Sequence, residues 1–421
     1  MQPKREAEDS PRSQSEAEDG SCILRLLTVC HMHPSRFLPR HGIFLIRQAQ
    51  WLAEHGIDFT FLVPRPNAPW PLHLFPKWKE YGPENPLVVE HPFKIVERRY
   101  FRPPGGWFKL HEGKSIASTI RREAHRLHSD DPYDAILACP MLPDATSGRL
   151  LKEELDIPLV TLAIGSDVLV YPRTMPSLEP QLRESARASD LAVGVSKDIC
   201  NRLRELGARD PQCVYLSRDA AQFKPPSDRN ELRDELGWRR DDIVAIFVGR
   251  LATTKGTTEL LQSIRTLIPA NPSLRLVLVG DGPEKEAFTG LAQDPTYTHR
   301  VNLLGELAPD SVPKYLQAAD FLVFPSYSEG MPQAVLEAMN CGLPVVATRV
   351  GGVPEAVLDG DNGVIIEPRD TTALTSAMQR LIEDDEFRVR AGQRSLEIVT
   401  TKFDPDTNAA KLATALKEVT S

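Results

Sequence analysis

The sequence predicts an α/β protein built as two doubly wound parallel-sheet domains. Three observations carry that expectation. At 421 residues the chain is too long for one ordinary core. Short apolar runs of strand length alternate with helical stretches, the pattern of a parallel sheet covered on both faces. The alternation lapses near residue 220 and then restarts. The expected divisions are a tail over 1–21, a first domain over 22–218, a second over 219–400 and a terminal helix within 401–421.

The first segment, "MQPKREAEDSPRSQSEAEDGS", is polar and charged, lacks the apolar stretch of a secretory leader, and is expected to be disordered. From Ile23 the chain reads strand ("ILRLLTVC"), loop, helix ("IFLIRQAQWLAEHG", closed by Gly56 as its C-cap) and strand ("DFTFLVP"). Strands follow at "DAILAC" and "PLVTLAI", then a helix over Leu178–Ala188 and a strand at "LAVGVS". Between Pro64 and Gly113 the texture changes to proline, aromatic and basic residues. That insert, which includes Trp70 and Trp107, reads first as a proline-stiffened connection. Substrate grip and contact with a membrane surface are the alternatives. After the linker the strands are "DIVAIFVGR", "LRLVLVGDGP", "RVNLLGEL", "ADFLVFPS", "LPVVATRVGG" and "NGVIIEP".

Composition excludes several classes. A net charge of −8 argues against a nucleic-acid partner. Six scattered cysteines with no CxxC pair fit reduced thiols in a cytoplasmic setting. No apolar run approaches the roughly 20 residues of a membrane-spanning helix.

In open parallel sheets, ligands bind outside the carboxyl ends of the strands. In the second half the distinctive residues fall at those ends: Arg250 and Lys255 after one strand, "GDGP" after the next, "FPSYSEGMPQAVLEAMNCGLP" after another and Gly351-Gly352 after the last of the four. Pro332 suits the first turn of a helix running to Cys341, and Gly342 and Pro344 stop it. Glu329 then sits in the turn before the helix, and free N–H groups from Gly330, Met331, Pro332's neighbours and Gln333 favour an anion or a hydroxyl-rich ligand. Glu337, eight positions on and inside the helix, needs a partner for its carboxylate. Two vicinal hydroxyls, as on a ribose, would satisfy it. Arg250 and Lys255 supply the charge that neutralises a departing diphosphate without a metal.

This constellation resembles the retaining glycosyltransferases of family 4, which have the GT-B fold of two Rossmann-like doubly wound parallel-sheet domains facing across a cleft. The matching residues are "GRLATTKG", "LVGDGP", "EGMPQAVLE", "EAMNCGLPVVAT" and "GGVPE". The resemblance spans about Ile23 to Pro368 and is strongest from Gly249 onward. It implies transfer of a sugar from a nucleoside diphosphate sugar to a sugar or lipid-linked hydroxyl acceptor, in polysaccharide, lipopolysaccharide or glycolipid synthesis, with no further cofactor. It gives Arg250 and Lys255 to the diphosphate, Glu337 to the ribose, and Glu329 with Gly330, Met331, Pro332 and Gln333 to the donor sugar. Leu307 lies near the base, and the last helix, Asn408–Val419, crosses back to the first domain. Attack on the same face as departure, with the leaving phosphate as base, is the usual proposal for such enzymes.

The first half departs from the family pattern. A Gly-Gly turn is replaced by "LPRHGIF", with only Gly42; Ile164 stands where a histidine often precedes "GSD"; and "LSRD" replaces Asn-Gly-Val-Asp at the junction. Acceptor-side candidates are therefore Gly42 and two strand-end acids, Asp144 and Asp167. A non-catalytic sugar-nucleotide-binding subunit is the alternative function. A dehydrogenase is disfavoured by the lack of G-x-G-x-x-G after a first strand. His31 and His33 make a weak zinc pair. The D-x-D triplets Asp359/Asp361 and Asp404/Asp406, and Asp281, read as turn and cap formers, and Cys341 as a packed residue.

Overall fold

The computed structural model describes residues 24–421 except 40, 69, 73–74, 83–84, 89–90, 104–105 and 218–220. The expected tail over 1–21 and the Arg218-Asp219 part of "LSRD" lie outside the described residues.

Among the described residues, thirteen strands form two all-parallel sheets. The first holds β1 (Leu24–Val29), β2 (Ile57–Asn67), β3 (Lys94–Phe101), β4 (Ala135–Ala138), β5 (Leu159–Ala163), β6 (Leu191–Gly194) and β7 (Gln212–Cys213), in the order β3-β2-β1-β4-β5-β6-β7. The second holds β8 (Ile243–Val248), β9 (Leu274–Val279), β10 (Val301–Gly305), β11 (Phe321–Phe324), β12 (Val345–Thr348) and β13 (Gly363–Ile366), in the order β10-β9-β8-β11-β12-β13. Both are doubly wound. The central strands are buried on both faces, which is why they read as continuous apolar runs: β4, β5, β6, β11 and β12 are buried throughout.

The helix after β1 spans Ile43–Ala53 and buries Leu45, Ile46, Ala49 and Leu52. Its C-cap is Glu54; Gly56, at φ 78°, makes the turn into β2 two residues later instead of capping the helix. The helix expected from Leu178 begins at Glu179, after a single 3-10 turn over Pro176–Leu178.

The insert contains an element that the sequence hid. β2 runs on through Pro64 and Pro66 to Asn67 and pairs with an additional strand, β3, over Thr60↔Lys94 to Asn67↔Phe101. Pairing with β1 stops at Leu62, so both prolines sit where β2 has one neighbour, and there a missing N–H is tolerated. Beyond β2 the insert leaves large apolar side chains exposed, among them Trp70 (79% exposed) and Phe75.

Glu355 and the last helix each tie the halves together. Glu355, from "GGVPE", accepts the backbone N–H of Lys197 at 2.8 Å, at the start of the helix Lys197–Leu206, and the Tyr215 hydroxyl at 2.9 Å. The last helix, Pro405–Thr420, starts three residues earlier than expected because Asp404 caps it, accepting from the Thr407 N–H at 2.8 Å. It crosses to the first domain, where Leu412 and Leu416 pack with Leu45, Ala49 and Leu52. Lys411 Nζ donates to the Cys213 carbonyl at 2.7 Å.

Candidate active site

Because every strand of the second sheet is parallel, the loops bearing Arg250, Asp281, Leu307, Glu329 and Gly351 leave the same edge. Close backbone packing then sets their spacing. Gly256, at φ 69°, ends the 3-10 turn Thr253–Lys255, and a Cβ there would lie 2.0 Å from the Pro325 carbonyl oxygen. The Tyr327 N–H donates to the Thr254 carbonyl at 2.9 Å. These two contacts bind the loop after β8 to the loop after β11. Lys255 consequently reaches Glu329, with Nζ 2.6 Å from Oε1. The same oxygen accepts the Ser326 hydroxyl at 2.5 Å, and Ser326 is in turn fixed by Thr348, whose hydroxyl donates to the Ser326 carbonyl.

Glu329 leads into the helix Gln333–Asn340. Pro332 is its N-cap, in extended geometry, not its first helical residue as the sequence suggests. Cys341 is the C-cap and Gly342, at φ 74°, follows. The N–H groups of Gly330, Met331 and Gln333 donate to no acceptor among the described residues, so this helix start can receive a ligand. Gln333 Oε1 is buried without a partner. Glu337 is half-buried one turn further along the same helix face. Leu307, just past β10, is partly buried against the core.

The first domain touches this centre directly. A Cβ on Gly330 would lie 2.0 Å from the Ile164 carbonyl oxygen, and one on Gly165 would lie 2.9 Å from the Gly330 nitrogen. Asp167 holds that loop: its carboxylate accepts from the N–H groups of Gly165 and Met141, each at 2.8 Å, and of Ile164 at 3.3 Å. Asp144 is fully buried and faces His31, taking its backbone N–H at 3.0 Å and contacting Nδ1 through the other oxygen. Neither Asp144 nor Asp167 offers a free oxygen to the cleft, which makes both of them positioning groups. Burial works against a charged His31, yet the Asp144 carboxylate outweighs it and holds the imidazole above its ordinary pKa. Burial likewise raises Asp144. Gly42, at φ 77°, lets the loop after β1 close on itself, since a Cβ would lie 2.1 Å from the Met32 carbonyl oxygen.

The first domain carries a cavity of about 610 Å³ that Arg250 reaches from the second domain, while Lys255, Glu329 and Glu337 lie outside its lining. Arg250 is exposed there. The first-domain wall includes His31, His41, Arg65, Arg102, Lys109 and Glu112. Burial, with His31 and His33 beside it, pushes His41 down to about 4. The cations of the insert were not singled out in the sequence, because only β3 and the helix Lys109–Asp130 bring them together. Ser326 was also missed, although its place three residues before Glu329 was a usable signal. Asp281 bonds Lys285 and the Gly282 N–H, and Asp359, Asp361 and Asp404 are all engaged in turns, caps or ion pairs.

Two doubly wound, all-parallel domains whose strand ends carry these residues define the GT-B architecture. The chain belongs to the glycosyl transferases group 1 family, whose model matches residues 228–397. It is similar to a protein named as the putative teichuronic acid biosynthesis glycosyltransferase TuaC of Bacillus subtilis, 29% identical over 94% of this chain and 99% of that one. It is also similar to the D-inositol 3-phosphate glycosyltransferase of Actinosynnema mirum, 30% identical over 81% of this chain and 83% of the relative. Among solved structures, Anabaena HepE in complex with UDP superposes with a TM-score of 0.70 at 21% identity, covering 94% of this chain and all of HepE, a likeness of fold.

Proposed function

We propose that this glycosyltransferase moves a sugar from a nucleoside diphosphate sugar to a hydroxyl of a sugar or lipid-linked acceptor, with retention of anomeric configuration. The observation that carries the reading is the Lys255–Glu329 contact at the open start of the helix Gln333–Asn340. It joins a long-stemmed cation, a carboxylate and open N–H groups where a donor's phosphates and sugar would meet. HepE, described in complex with UDP and with UDP-glucose, supports a nucleotide-sugar donor.

In this mechanism Arg250, Lys255 and the helix start stabilise the charge that grows on the departing diphosphate. Glu337 takes the ribose hydroxyls, and Glu329 with the amides after it orients the sugar. A double displacement needs a carboxylate nucleophile roughly 5 Å from its partner across the sugar. Asp144 and Asp167 are both occupied by N–H donors and buried, which favours same-face attack with the leaving phosphate as base. No cofactor beyond the donor enters this scheme.

No helix among the described residues is long and apolar enough to cross a membrane. The exposed Trp70, Phe75 and Phe101, with Lys79 5.4 Å over the Phe37 ring, support action in the cytoplasm against the membrane's inner face. The TuaC and inositol phosphate relatives support polysaccharide or glycolipid synthesis as the setting. The test is turnover of UDP-, GDP- and ADP-sugars by purified protein, with the anomeric outcome read by NMR. Binding without turnover across acceptors would instead favour a non-catalytic subunit.

A further inference from the structure

We propose that Glu284 is the positioning residue for Lys255: its carboxylate gathers three threonine hydroxyls around the turn that carries this lysine and so fixes where the ammonium can reach. The inference rests on the glycosyltransferase reading and deepens it, adding a residue that acts on the donor's phosphates only through another side chain.

Lys255 ends the short 3-10 turn Thr253–Lys255, and the helix Thr257–Ala270 begins two residues later. Gly256, between them, is that helix's N-cap and has no side chain with which to brace the turn. The brace comes from the loop after β9. Glu284 Oε1 accepts the hydroxyls of Thr253 at 2.7 Å and Thr258 at 3.0 Å, and Oε2 accepts that of Thr257. The donors therefore flank Lys255 on both sides in sequence. Main chain fixes the carboxylate's own loop: the Glu284 N–H donates to the Leu251 carbonyl at 3.0 Å, and the Leu251 N–H to the Asp281 carbonyl at 2.9 Å.

Thr257 is fully buried, so its hydroxyl needs a partner, and Glu284 is that partner. Burial alone would raise the Glu284 pKa, but the three hydroxyls outweigh it and hold the carboxylate below its ordinary value. The clamp is thus an anion at neutral pH. Lys255 Nζ itself is paired with Glu329 at 2.6 Å, so one acid holds the ammonium while the other holds the turn behind it. A diphosphate at the start of the helix Gln333–Asn340 takes this ammonium over from Glu329 or shares it, at a distance that the turn sets. Misplacing such a group by about 1 Å can cost about 10²-fold in rate.

The test measures transfer by the full chain with the UDP-, GDP- or ADP-sugar that it turns over. Glu284→Ala should lower kcat by about 10²-fold and change KM for the donor by less than about threefold, since the lysine contributes most in the transition state. Glu284→Gln, which keeps an acceptor oxygen for Thr253 and Thr258, should recover about tenfold of that loss. In the Lys255→Ala background, Glu284→Ala should cost less than about twofold, because its effect passes through the lysine. A merely structural role would multiply the loss equally in both backgrounds. If Glu284→Ala fails to fold, as circular dichroism would show, Thr253→Val combined with Thr258→Val removes the hydroxyls on Oε1 and replaces it in the comparison. Near-normal kcat in Glu284→Ala where Lys255→Ala is strongly impaired, or equal losses in the two backgrounds, would overturn the proposal and leave the glycosyltransferase reading intact. Lys255→Ala as active as the wild type, or a wild type without turnover, would be the failure of that reading, and the proposal would fall with it.

Discussion

The two halves of the molecule share one architecture and build their candidate ligand surfaces by different means. In the second, the candidate ligand groups come from consecutive strand ends of one parallel sheet and from the open start of a helix. Their geometry is set by backbone against backbone, as with Gly256 on Pro325 and Gly351 on Glu329. In the first, the cavity wall is made of long side chains drawn from β2, the end of β3 and the following helix, braced by buried pairs such as His31 with Asp144. The proposed donor site is thus shaped by main chain and glycines, whereas the proposed acceptor wall depends on side chains that can change without altering the fold.

The largest effects should follow from breaking the second half's charges. Lys255→Ala and Glu329→Ala should each reduce transfer by about 10³-fold or more, as expected for loss of preorganised electrostatic groups, with near-normal melting temperature. Near-normal turnover in either variant would put the donor chemistry elsewhere. Gly330→Ala comes next. Its Cβ would press the Ile164 carbonyl across the domain junction, so both activity and stability should fall, about 1–3 kcal/mol by denaturant unfolding. Gly290→Ala, where nothing lies within 4 Å, is the control and should be neutral or stabilising by about 0.5–1 kcal/mol. A Gly330→Ala chain as active as the control would separate the domain contact from function.

Glu337→Ala should act mainly on donor binding, raising KM for the nucleotide sugar by about tenfold with little change in kcat. An effect on kcat alone would move Glu337 from ribose to chemistry. Glu355→Ala removes the acceptor for the Lys197 N–H and the Tyr215 hydroxyl, and should cost about 1–2 kcal/mol, measurable in urea, without changing KM.

The smallest effect is one of pH. His41 has a folded pKa of about 4, below its ordinary 6.5, so the unfolded chain binds the proton first as pH falls. Its contribution to stability is therefore lost between about pH 6.5 and pH 4. His31 has the opposite sign: its raised pKa favours the folded state at low pH, a contribution that is lost as pH rises through the folded value. Melting curves of wild type and His41→Gln should therefore converge as pH falls across that window. A constant difference would show that His41 is not held neutral by the fold.

Much of the second half was legible because its signals are local. The spacing of Glu329, Pro332, Glu337 and Gly342 fixes a turn and a helix, and a parallel sheet gathers its loops without further information. The meeting of Lys255 with Glu329 follows from that topology, and the bridging Ser326, three residues before Glu329, was within reach of the same reading, whereas the extended geometry at Pro332 was not. In the first half the signal was non-local. Pro64 and Pro66 spoke against a strand, and β3, "KIVERRYF", is a charged edge strand with little apolar alternation. Without that pairing, Arg65, Arg102 and Lys109 remain scattered basic residues in a proline-rich stretch. Asp144 and Asp167 were visible as strand-end acids. Their complete burial, and hence their work on His31 and on the loop at Gly165, was not.

A crystal structure of this chain with UDP would probe the proposed donor site without intermediaries. The diphosphate is expected within hydrogen-bonding distance of Arg250 and Lys255 at the start of the helix Gln333–Asn340, with the ribose hydroxyls on Glu337. A nucleotide bound away from that edge of the second sheet, with Lys255 still closed on Glu329 and Arg250 in solvent, would contradict it.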